Sequence, residues 1–229
     1  MPFFPQFSNL FVPPYAIYLP EVSLLLHMNG YNESTVFTDS SLNNFSVTAN
    51  GNAQISTAEY KYGGASGYFD GDNDYLVIPN DNKLNFETSD FTVEAWIYLL
   101  DNTLPNGIFG QEEGGIAFAV NADGYLFADQ ANVGGSPLFS ETTVTTEVWH
   151  HVAVARQNGY ARLFLDGIIV AEGSWSASLS SSNDCVVGDL EVGLNNWPFY
   201  GYIDDLRIIK NQAVYTENFT PPTSELPNS

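Results

Sequence analysis

The stretch WHHVAVARQNGYARLFLDGIIVAEG, residues 149–173, decides the fold. It contains the pairs Asn158-Gly159 and Asp166-Gly167, which are residue pairs that a type I′ turn prefers. Both central positions of that turn need a positive φ, which glycine accepts freely and asparagine or aspartate accepts at little cost. The stretch therefore predicts three consecutive antiparallel strands joined by two two-residue turns.

Pairing outward from the two turns fixes which side chains share a face of the predicted sheet. The expected opposite pairs are Val154–Leu163, Val152–Leu165, Leu165–Ile168 and Leu163–Val170. All six residues lie on one apolar face, and a slip of one residue at either turn would destroy that agreement. The other face is mixed and carries His151, Ala153, Ala155, Arg162, Phe164 and Ile169. We therefore expect a meander that is covered on one side and partly covered on the other.

The chain from Val22 onward shows the same texture, with short β-rich runs separated by Gly, Asn, Asp and Ser. Strands are predicted near 22–27, 35–38, 44–48, 53–57, 66–70, 74–79, 90–100, 107–111, 115–120, 124–128, 136–140, 185–188 and 200–210. In FTVEAWIYLL, residues 91–100, apolar side chains recur at every second position, which is the period of a strand. Many short strands without a helical period predict an all-β, two-sheet antiparallel β-sandwich.

Charge in this sequence is one-sided. Six Lys and Arg stand against 27 Asp and Glu, so the formal net charge is -21. Nucleic acid and anionic membrane surfaces reward clustered positive charge, so both are disfavoured as partners. The acidity either keeps the protein soluble or supplies carboxylates for divalent cations.

The single cysteine, Cys185, excludes an intrachain disulfide, and we expect a small buried residue rather than a reactive thiol. No window reaches the apolar length of a transmembrane helix. The start MPFFPQF lacks a positively charged region and is broken by prolines, so a secretory signal is not expected. We expect a chain that is made and used in the cytoplasm, or one that leaves by lysis or another route.

Residues 1–20 hold five of the twelve prolines and six aromatic residues. Proline at this density resists helix and central strand, so an extended arm is predicted over residues 1–21. An exposed arm this aromatic needs a surface to cover it, either on its own domain or on another subunit. Residues 22–222 form the predicted domain, and residues 223–229 form a tail. The partner-binding candidates in the arm are Phe3, Phe4, Phe7, Phe11, Tyr15 and Tyr18.

Six blocks of the sequence, in order, resemble the laminin G-like, concanavalin A-like lectin/glucanase jelly-roll superfamily. The blocks are VSLLLHMNG (22–30), FTDSSLNN (37–44), KYGGASGYFDGDNDYLVIP (61–79), DFTVEAWIY (90–98), VWHHVAVARQNGYARLFLDG (148–167) and GYIDDLRIIKNQAVYTENFTPP (201–222). The first and last blocks are similar to copies found in virion and tail proteins of bacteriophages. The resemblance implies two curved sheets, often a calcium ion at the rim, and sugar or protein binding at edge loops or the concave face. It does not imply catalysis, because a fold does not determine a function.

Calcium is the candidate cofactor. The acidic run at residues 70–74, DGDND, begins like a calcium loop, with oxygen ligands at alternate positions. It departs from the EF-hand pattern at the sixth and twelfth positions, so a tight acidic turn between strands is the alternative. The resemblance also implies that an early loop and the last strand meet at a calcium site, which would pair Asp39 with Asp204. The predicted metal ligands are Asp39, Asp72 and Asp204.

Two of the four tryptophans are candidates for stacking on sugar rings. Trp96 and Trp149 lie in strong strand patterns and are expected in the core. Trp175 and Trp197 lie in turn-like sequence, where an exposed ring is unfavourable unless something covers it. With Tyr200 they are the predicted carbohydrate-binding residues. The alternative is that these rings fold down and cap the sandwich.

No catalytic constellation appears in the sequence, so we expect no enzymatic activity. Glycosidases of this broad fold place carboxylates at alternate positions of one strand. Here Glu94 stands alone on its strand, and Glu112 and Glu113 are adjacent, so they would point to opposite faces. His150 and His151 also point to opposite faces, so they do not chelate one zinc ion together.

The leading hypothesis is a non-enzymatic virion structural protein of a bacteriophage, either a capsid decoration protein or a tail or tail-fibre component. It would be attached to other virion proteins through its arm or a sandwich face, would be located in the virion after assembly in the host cytoplasm, and could form a homo-oligomer. The alternative is a carbohydrate-binding adhesin or receptor-binding module that recognises a host surface glycan, with calcium as a candidate cofactor.

Overall fold

The computed structural model describes residues 21–131, 133–193 and 196–228, and these contain fifteen β-strands. In chain order they are β1 (Val22–Leu26), β2 (Thr48–Asn50), β3 (Gln54–Ser56), β4 (Ser66–Asp70), β5 (Tyr75–Ile78), β6 (Phe91–Leu99), β7 (Asn106–Gly110), β8 (Ala117–Val120), β9 (Tyr125–Asp129), β10 (Leu138–Thr143), β11 (Trp149–Gln157), β12 (Tyr160–Leu165), β13 (Ile168–Ser174), β14 (Cys185–Val187) and β15 (Tyr200–Lys210). Across those residues, no helix is long and apolar enough to cross a membrane.

The strands form two antiparallel sheets that pack face to face. The eight-stranded sheet has the order β13-β12-β11-β6-β15-β4-β3, and β1 pairs with β15 as well. The seven-stranded sheet has the order β10-β9-β8-β7-β14-β5-β2. β14 returns to lie between β5 and β7, and β15 returns to lie between β6 and β4, so strands distant in sequence close each sheet. The predicted two-sheet antiparallel sandwich is confirmed.

One continuous apolar core fills the space between the sheets. On β6 the alternating residues Val93, Ala95, Ile97 and Leu99 are buried in it, as the period-two pattern predicts. On β9, Leu126 and Ala128 face the same core, so Phe127 between them points to the opposite side. This alternation gives each sheet an outer face, and functional side chains have to be sought there or at the loops.

The two turns in the stretch 149–173 form as predicted. Asn158, Gly159, Asp166 and Gly167 have φ values of 51°, 73°, 50° and 79°. The pairs Val154–Leu163, Val152–Leu165 and Leu165–Ile168 are confirmed.

The fourth predicted pair is wrong, because the register of β12 and β13 shifts between Leu163 and Phe164. Leu163 therefore lies opposite Ala171 instead of Val170. The shift adds one residue on β13, and such a bulge cannot be read from the turn sequence.

The predicted strand at 35–38 does not form. The neighbouring side chain of Asp39 accepts hydrogen bonds from the backbone N–H groups of Leu25, Ser41 and Phe45, at 3.1, 2.9 and 2.8 Å. The carboxylate therefore organises this segment as a closed loop against β1. A side chain that bonds local N–H groups competes with strand pairing.

Residues 211–228, the C-terminal segment, lie across part of the outer face of the eight-stranded sheet. The rings of Tyr215 and Phe219 stack on each other with centroids 3.6 Å apart, and both contact Phe164 of β12. The Phe219 N–H donates to the Gly167 carbonyl at 2.8 Å. Further along, the buried Leu226 donates its N–H to Asp205 at 2.7 Å. The expectation of partial cover over the meander's second face is confirmed.

Beneath this segment lies a buried charge cluster. Glu94 is fully buried and accepts hydrogen bonds from Arg207 at 2.5 and 2.8 Å. Its other oxygen accepts from the Tyr215 hydroxyl at 2.7 Å and lies 3.0 Å from His151 Nε2. Burial acts to raise the pKa of Glu94, but His151 and Arg207 hold that pKa below its usual value. Because Glu94, His151 and Arg207 are buried, and Tyr215 of the C-terminal segment bonds to Glu94, we assign the cluster a structural role.

Cys185 begins β14 in the interior of the seven-stranded sheet. It lies opposite Ile78 of β5, and its side chain is fully buried in the core. Burial raises the pKa of its thiol far above the ordinary value. The expectation of a buried cysteine is confirmed, and the raised pKa disfavours the thiolate that a reactive cysteine needs.

Candidate functional site

Part of the loop between β14 and β15 lies on the outer face of the seven-stranded sheet and builds the candidate site. Residues 188–199 connect β14 to β15, and the Asp189–Leu190 backbone rests directly on β7. A Cβ at Gly107 would lie 2.6 Å from the Asp189 carbonyl carbon, and one at Gly110 would lie 2.5 Å from Leu190 Cα. Only glycine allows this close approach, so two glycines of β7 determine where the loop runs.

Asp189 holds the loop in shape. Its Oδ1 accepts hydrogen bonds from the backbone N–H groups of Leu190 and Trp197, at 2.7 and 3.1 Å. The carbonyl of Trp197 in turn accepts from the N–H of Gly107 at 2.7 Å. Trp197 is therefore anchored to the loop on one side and to β7 on the other, which fixes the position of its indole.

The indole of Trp197 extends an aromatic row on the outer face of the sheet. Its ring stacks on Phe127 of β9, with centroids 5.8 Å apart and planes at 14°. Phe127 contacts Phe139 of β10, with centroids 4.9 Å apart. Trp197 and Phe127 are half-buried, and Phe139 is 44% exposed. Three aromatic rings thus remain accessible in one row, although water disfavours such exposure.

Oxygen-bearing side chains lie beside this row. We call the depression the Trp197 groove; it has a volume of about 410 Å³ and is lined chiefly by Trp197, Phe127, Ala117, Glu112, Glu113 and Glu191. Its size is in the range of small-molecule sites in proteins, about 300–1,000 Å³. An aromatic surface bordered by hydrogen-bonding groups suits a ligand that is apolar on one face and polar at its edge.

Two carboxyl groups at the groove have perturbed acidity. Burial raises the pKa of Glu112, and the negative charges of Glu191 and Glu113 raise it further. Burial also raises the pKa of Asp189, against the hydrogen bonds from Leu190 and Trp197 that favour its charged form. The carboxylates therefore lie close enough to repel one another electrostatically, and negative charge is concentrated at the groove.

The structure separates the three predicted carbohydrate-binding residues. Trp197 lines the groove. Tyr200 is 38% exposed and lies in another depression, of about 240 Å³, which it shares with Asp70 and Asp101.

The prediction for Trp175 is wrong, because its side chain is fully buried. Its indole N–H donates to the Ser136 carbonyl at 3.2 Å, and its ring belongs to the main core. The local polar sequence suggested exposure, but the ring packs between the sheets and finds a hydrogen-bond partner there.

Sequence reasoning missed Phe127, Phe139, Asp189 and Glu191, although it predicted Trp197. A signal for Phe127 was present, because it alternates with the core residues Leu126 and Ala128 in YLFAD, residues 125–129. Nothing local indicated that a loop residue some 70 positions later would bring an indole onto that ring. The groove is made by a long-range contact and could not be read from either segment alone.

The predicted metal ligands lie in three different settings. Asp39 binds backbone N–H groups, as described above, and Asp72 accepts a hydrogen bond from Asn73 in the exposed acidic turn. Asp204 accepts from the N–H groups of Lys61 and Tyr62, at 2.8 and 3.0 Å, and burial raises its pKa to about 7.

Over the described ranges, no group of three or more Asp, Glu, His or Cys side chains could hold a metal ion. Calcium in the acidic turn that contains Asp72, or between Asp39 and Asp204, stays a prediction. The partner-binding arm residues Phe3, Phe4, Phe7, Phe11, Tyr15 and Tyr18 lie outside the described residues.

The chain is similar in fold to several solved bacterial protein domains. It matches domain 4 of the GH43 extracellular arabinanase AbnA from Geobacillus stearothermophilus, in complex with arabinotriose, at a TM-score of 0.62 and 17% identity, over 85% of this chain and 95% of that domain. It matches the binding domain of botulinum neurotoxin serotype D at 0.63 and 19%, over 86% of this chain. It also matches the binding domain of botulinum neurotoxin DC in complex with SialylT, at 0.60 and 13%, over 84% of this chain.

The chain spans about half the length of the two neurotoxin chains, 51% and 48%. At such low identities these likenesses show the fold. No curated protein matches the chain in a sequence search. A sequence profile of the laminin G type matches residues 70–214, which is more than half of the chain. The chain therefore belongs to the concanavalin A-like lectin/glucanases superfamily.

Proposed function

We propose that this chain is a carbohydrate-binding module and that its glycan ligand lies in the Trp197 groove. The observation that carries the proposal is the accessible row of Trp197, Phe127 and Phe139 beside the carboxylates of the groove. A sugar ring has an apolar face of C–H groups and a rim of hydroxyls. It can therefore cover an aromatic ring while hydrogen-bonding to acidic and amide side chains at the edge.

The similar structures support the sugar-binding class. Arabinotriose is present with the arabinanase domain, and SialylT is present with a neurotoxin binding domain. These ligands belong to those proteins. What supports a glycan ligand here is the groove's own combination of aromatic rings and oxygen-bearing side chains.

The proposed role is binding without catalysis. Hydrolysis of a glycosidic bond needs two carboxyl groups placed on either side of the scissile bond. Glu112 accepts a hydrogen bond from the Asn183 amide at 3.4 Å, and Glu191 accepts one from the Asn196 amide at 3.2 Å. Both carboxylates therefore bind to loop residues. If the wild type released reducing sugar from a glycan and Glu112→Gln did not, the groove would be a hydrolytic site and the proposal of binding without catalysis would be wrong.

The virion structural role stays a prediction. Its main support in the sequence is the aromatic arm and the first and last sequence blocks, and residues 1–20 lie outside the described part. Deletion of residues 1–20 is its test, because the arm hypothesis expects a folded domain that no longer enters particles. The superfamily assignment and the sugar-bound similar structures favour the carbohydrate-binding hypothesis instead.

A glycan panel followed by titration calorimetry tests the proposed function. We expect the wild type to bind at least one oligosaccharide, and Trp197→Ala to weaken that binding at least about tenfold, as for a central aromatic contact. Tyr200→Ala tests the neighbouring depression and should leave the affinity within about twofold. Tyr31→Ala is the matched control, since this ring is 90% exposed on a distant loop. Full binding by Trp197→Ala would refute the proposed site.

A further inference from the structure

The carboxylates of the Trp197 groove are more numerous than a neutral ligand requires. Glu112, Glu113 and Glu191 line the groove beside the indole. Asp189 lies behind it and is only 1% exposed. Its Oδ1 holds the loop, whereas its Oδ2 has no hydrogen-bond partner among the described residues. Three carboxylates thus line the aromatic surface, and a fourth is buried in the loop that carries the indole.

No basic side chain lies in the sequence that builds the groove. Residues 84–149 and 163–206 contain no Lys, Arg or His, and they supply β7 to β10, β14 and the loop at 188–199. Lys and Arg are instead engaged on the eight-stranded sheet and its loops. The partners are Glu21 for Lys83, Glu172 for Arg162, Glu94 for Arg207, backbone carbonyls for Arg156 and Lys210, and the Trp96 ring for Lys61.

Within the described part of the chain, no basic side chain therefore neutralises the negative charge of the groove. A partly desolvated site screens charge less than bulk water does, so a ligand cation gains more there than at an open surface. The faces of Trp197 and Phe127 add a second attraction, because aromatic rings bind cations over their faces. Carboxylated or sulfated sugars would meet repulsion from the same groups.

We propose that the Trp197 groove selects glycans bearing protonated amino groups over neutral glycans of the same backbone, and rejects polyanionic ones. This inference rests on the proposed function, since it concerns what the same groove binds. The preference would arise because the aromatic surface for sugar stacking lies beside carboxylates that have no basic side chain near them in the ranges that the structure describes.

Matched oligomers of glucosamine and N-acetylglucosamine test the proposal, because they share a backbone and ring faces and differ in charge. Titration calorimetry is done at about pH 6, above the usual carboxyl pKa values, in low salt and with a chelator. We expect the amino oligomer to bind roughly tenfold more tightly than the acetylated oligomer, and high salt to remove most of that preference.

Two double variants separate the groove from the overall charge of the protein. Glu113→Gln with Glu191→Gln removes two groove charges and should abolish the preference. Glu33→Gln with Glu217→Gln removes two exposed charges elsewhere and should preserve it. Equal loss in both variants would assign the effect to net charge and overturn the inference. Trp197→Ala should weaken both oligomers.

The outcomes also separate this inference from the proposed function. Equal or tighter binding of the acetylated oligomer overturns the selectivity and leaves a carbohydrate-binding groove. If neither oligomer binds but another glycan in the panel does, the selectivity is likewise overturned and the carbohydrate-binding groove stands. Failure of both oligomers together with an empty panel overturns the inference and the proposed function alike.

Discussion

The ring of Phe127 lies parallel to the indole of Trp197, with 5.8 Å between centroids and 14° between planes. The two residues come from a strand and from a loop some 70 positions later, and they meet on the outer face of the seven-stranded sheet. Because core packing does not require this contact, its main consequence is an ordered aromatic surface that solvent or a ligand can reach.

Replacing Phe127 should weaken glycan binding more than it weakens the fold. Phe127→Ala removes the ring that supports the indole, and aromatic pairs contribute about 0.5–1.5 kcal/mol, so the Kd should rise roughly twofold to twelvefold. Phe127→Leu keeps an apolar support without a ring face and should give an intermediate Kd. Titration calorimetry with the glycan found in the panel measures both, and an unchanged Kd in Phe127→Ala would count against the aromatic row.

A methyl group on β7 should displace the groove's loop. In Gly110→Ala the new Cβ would lie 2.5 Å from Leu190 Cα, so the backbone of the loop has to move. We expect a loss of about 1–3 kcal/mol in the free energy of unfolding and a clear loss of glycan affinity.

Gly30→Ala is the matched control for that substitution, because its Cβ would meet only the Ile55 side chain at 3.4 Å. Chemical denaturation and glycan titration are measured on both variants. If Gly110→Ala bound glycan as well as Gly30→Ala, the loop position would not matter for the site.

Removing the partner of Glu94 should be strongly destabilising. Arg207→Met leaves a fully buried carboxylate without its main counter-charge, and breaking such a pair costs about 3–5 kcal/mol. Arg162→Met breaks the partly exposed pair with Glu172, whose nearest N and O atoms are 3.5 Å apart, and should cost about 1 kcal/mol or less. Urea denaturation of the two variants compares these costs, and similar values would show that burial does not set the difference.

Stability should fall as the pH rises through the alkaline side of neutrality. The hydrogen bond from His27 to Asp205 raises the pKa of His27 from 6.5 to about 9. A group whose pKa is higher in the folded state stabilises that state fully below its unfolded pKa and loses this contribution above its folded pKa. The contribution of His27, on the order of 2 kcal/mol after allowance for solvent screening, is therefore present below about pH 6.5 and lost through about pH 9.

His27→Gln isolates this effect. The difference in unfolding free energy between wild type and variant should shrink between about pH 6.5 and pH 9, while contributions from other groups such as Asp204 cancel. Denaturation curves across this range provide the measurement. A difference that stays constant with pH would mean that His27 does not gain its proton affinity on folding.

Most of the fold could be predicted from the turn residues and from the alternation of apolar and polar side chains along the strands. Asn158-Gly159 and Asp166-Gly167 determine their own geometry, so the pairs next to them were predictable. The bulge that moves Leu163 opposite Ala171 is set by packing across the sheet, and no residue near the turn reports it. The pattern is therefore reliable close to each turn and less so farther away.

The candidate site was only partly predictable because burial is a property of the assembled sheets. Trp175 and Trp197 both follow polar, turn-like sequence, yet one ring is in the core and the other lies on the surface. Gly107 and Gly110 allow the loop that carries Trp197 to pack against β7. A glycine in a strand, however, does not predict which segment of the chain will pack on it. Which tryptophan is buried and which lies on the surface became clear only from the contact between β7 and the loop.

The burial of Cys185 gives the protein an internal reporter of its own opening. A thiol that is fully covered and held protonated reacts with a labelling reagent only when β14 separates from β5 and β7. With no other cysteine in the sequence, the labelling rate would report on that opening alone. Because β14 runs straight into the loop that carries Trp197, a ligand that slows labelling would reveal coupling between the groove and the interior of its sheet.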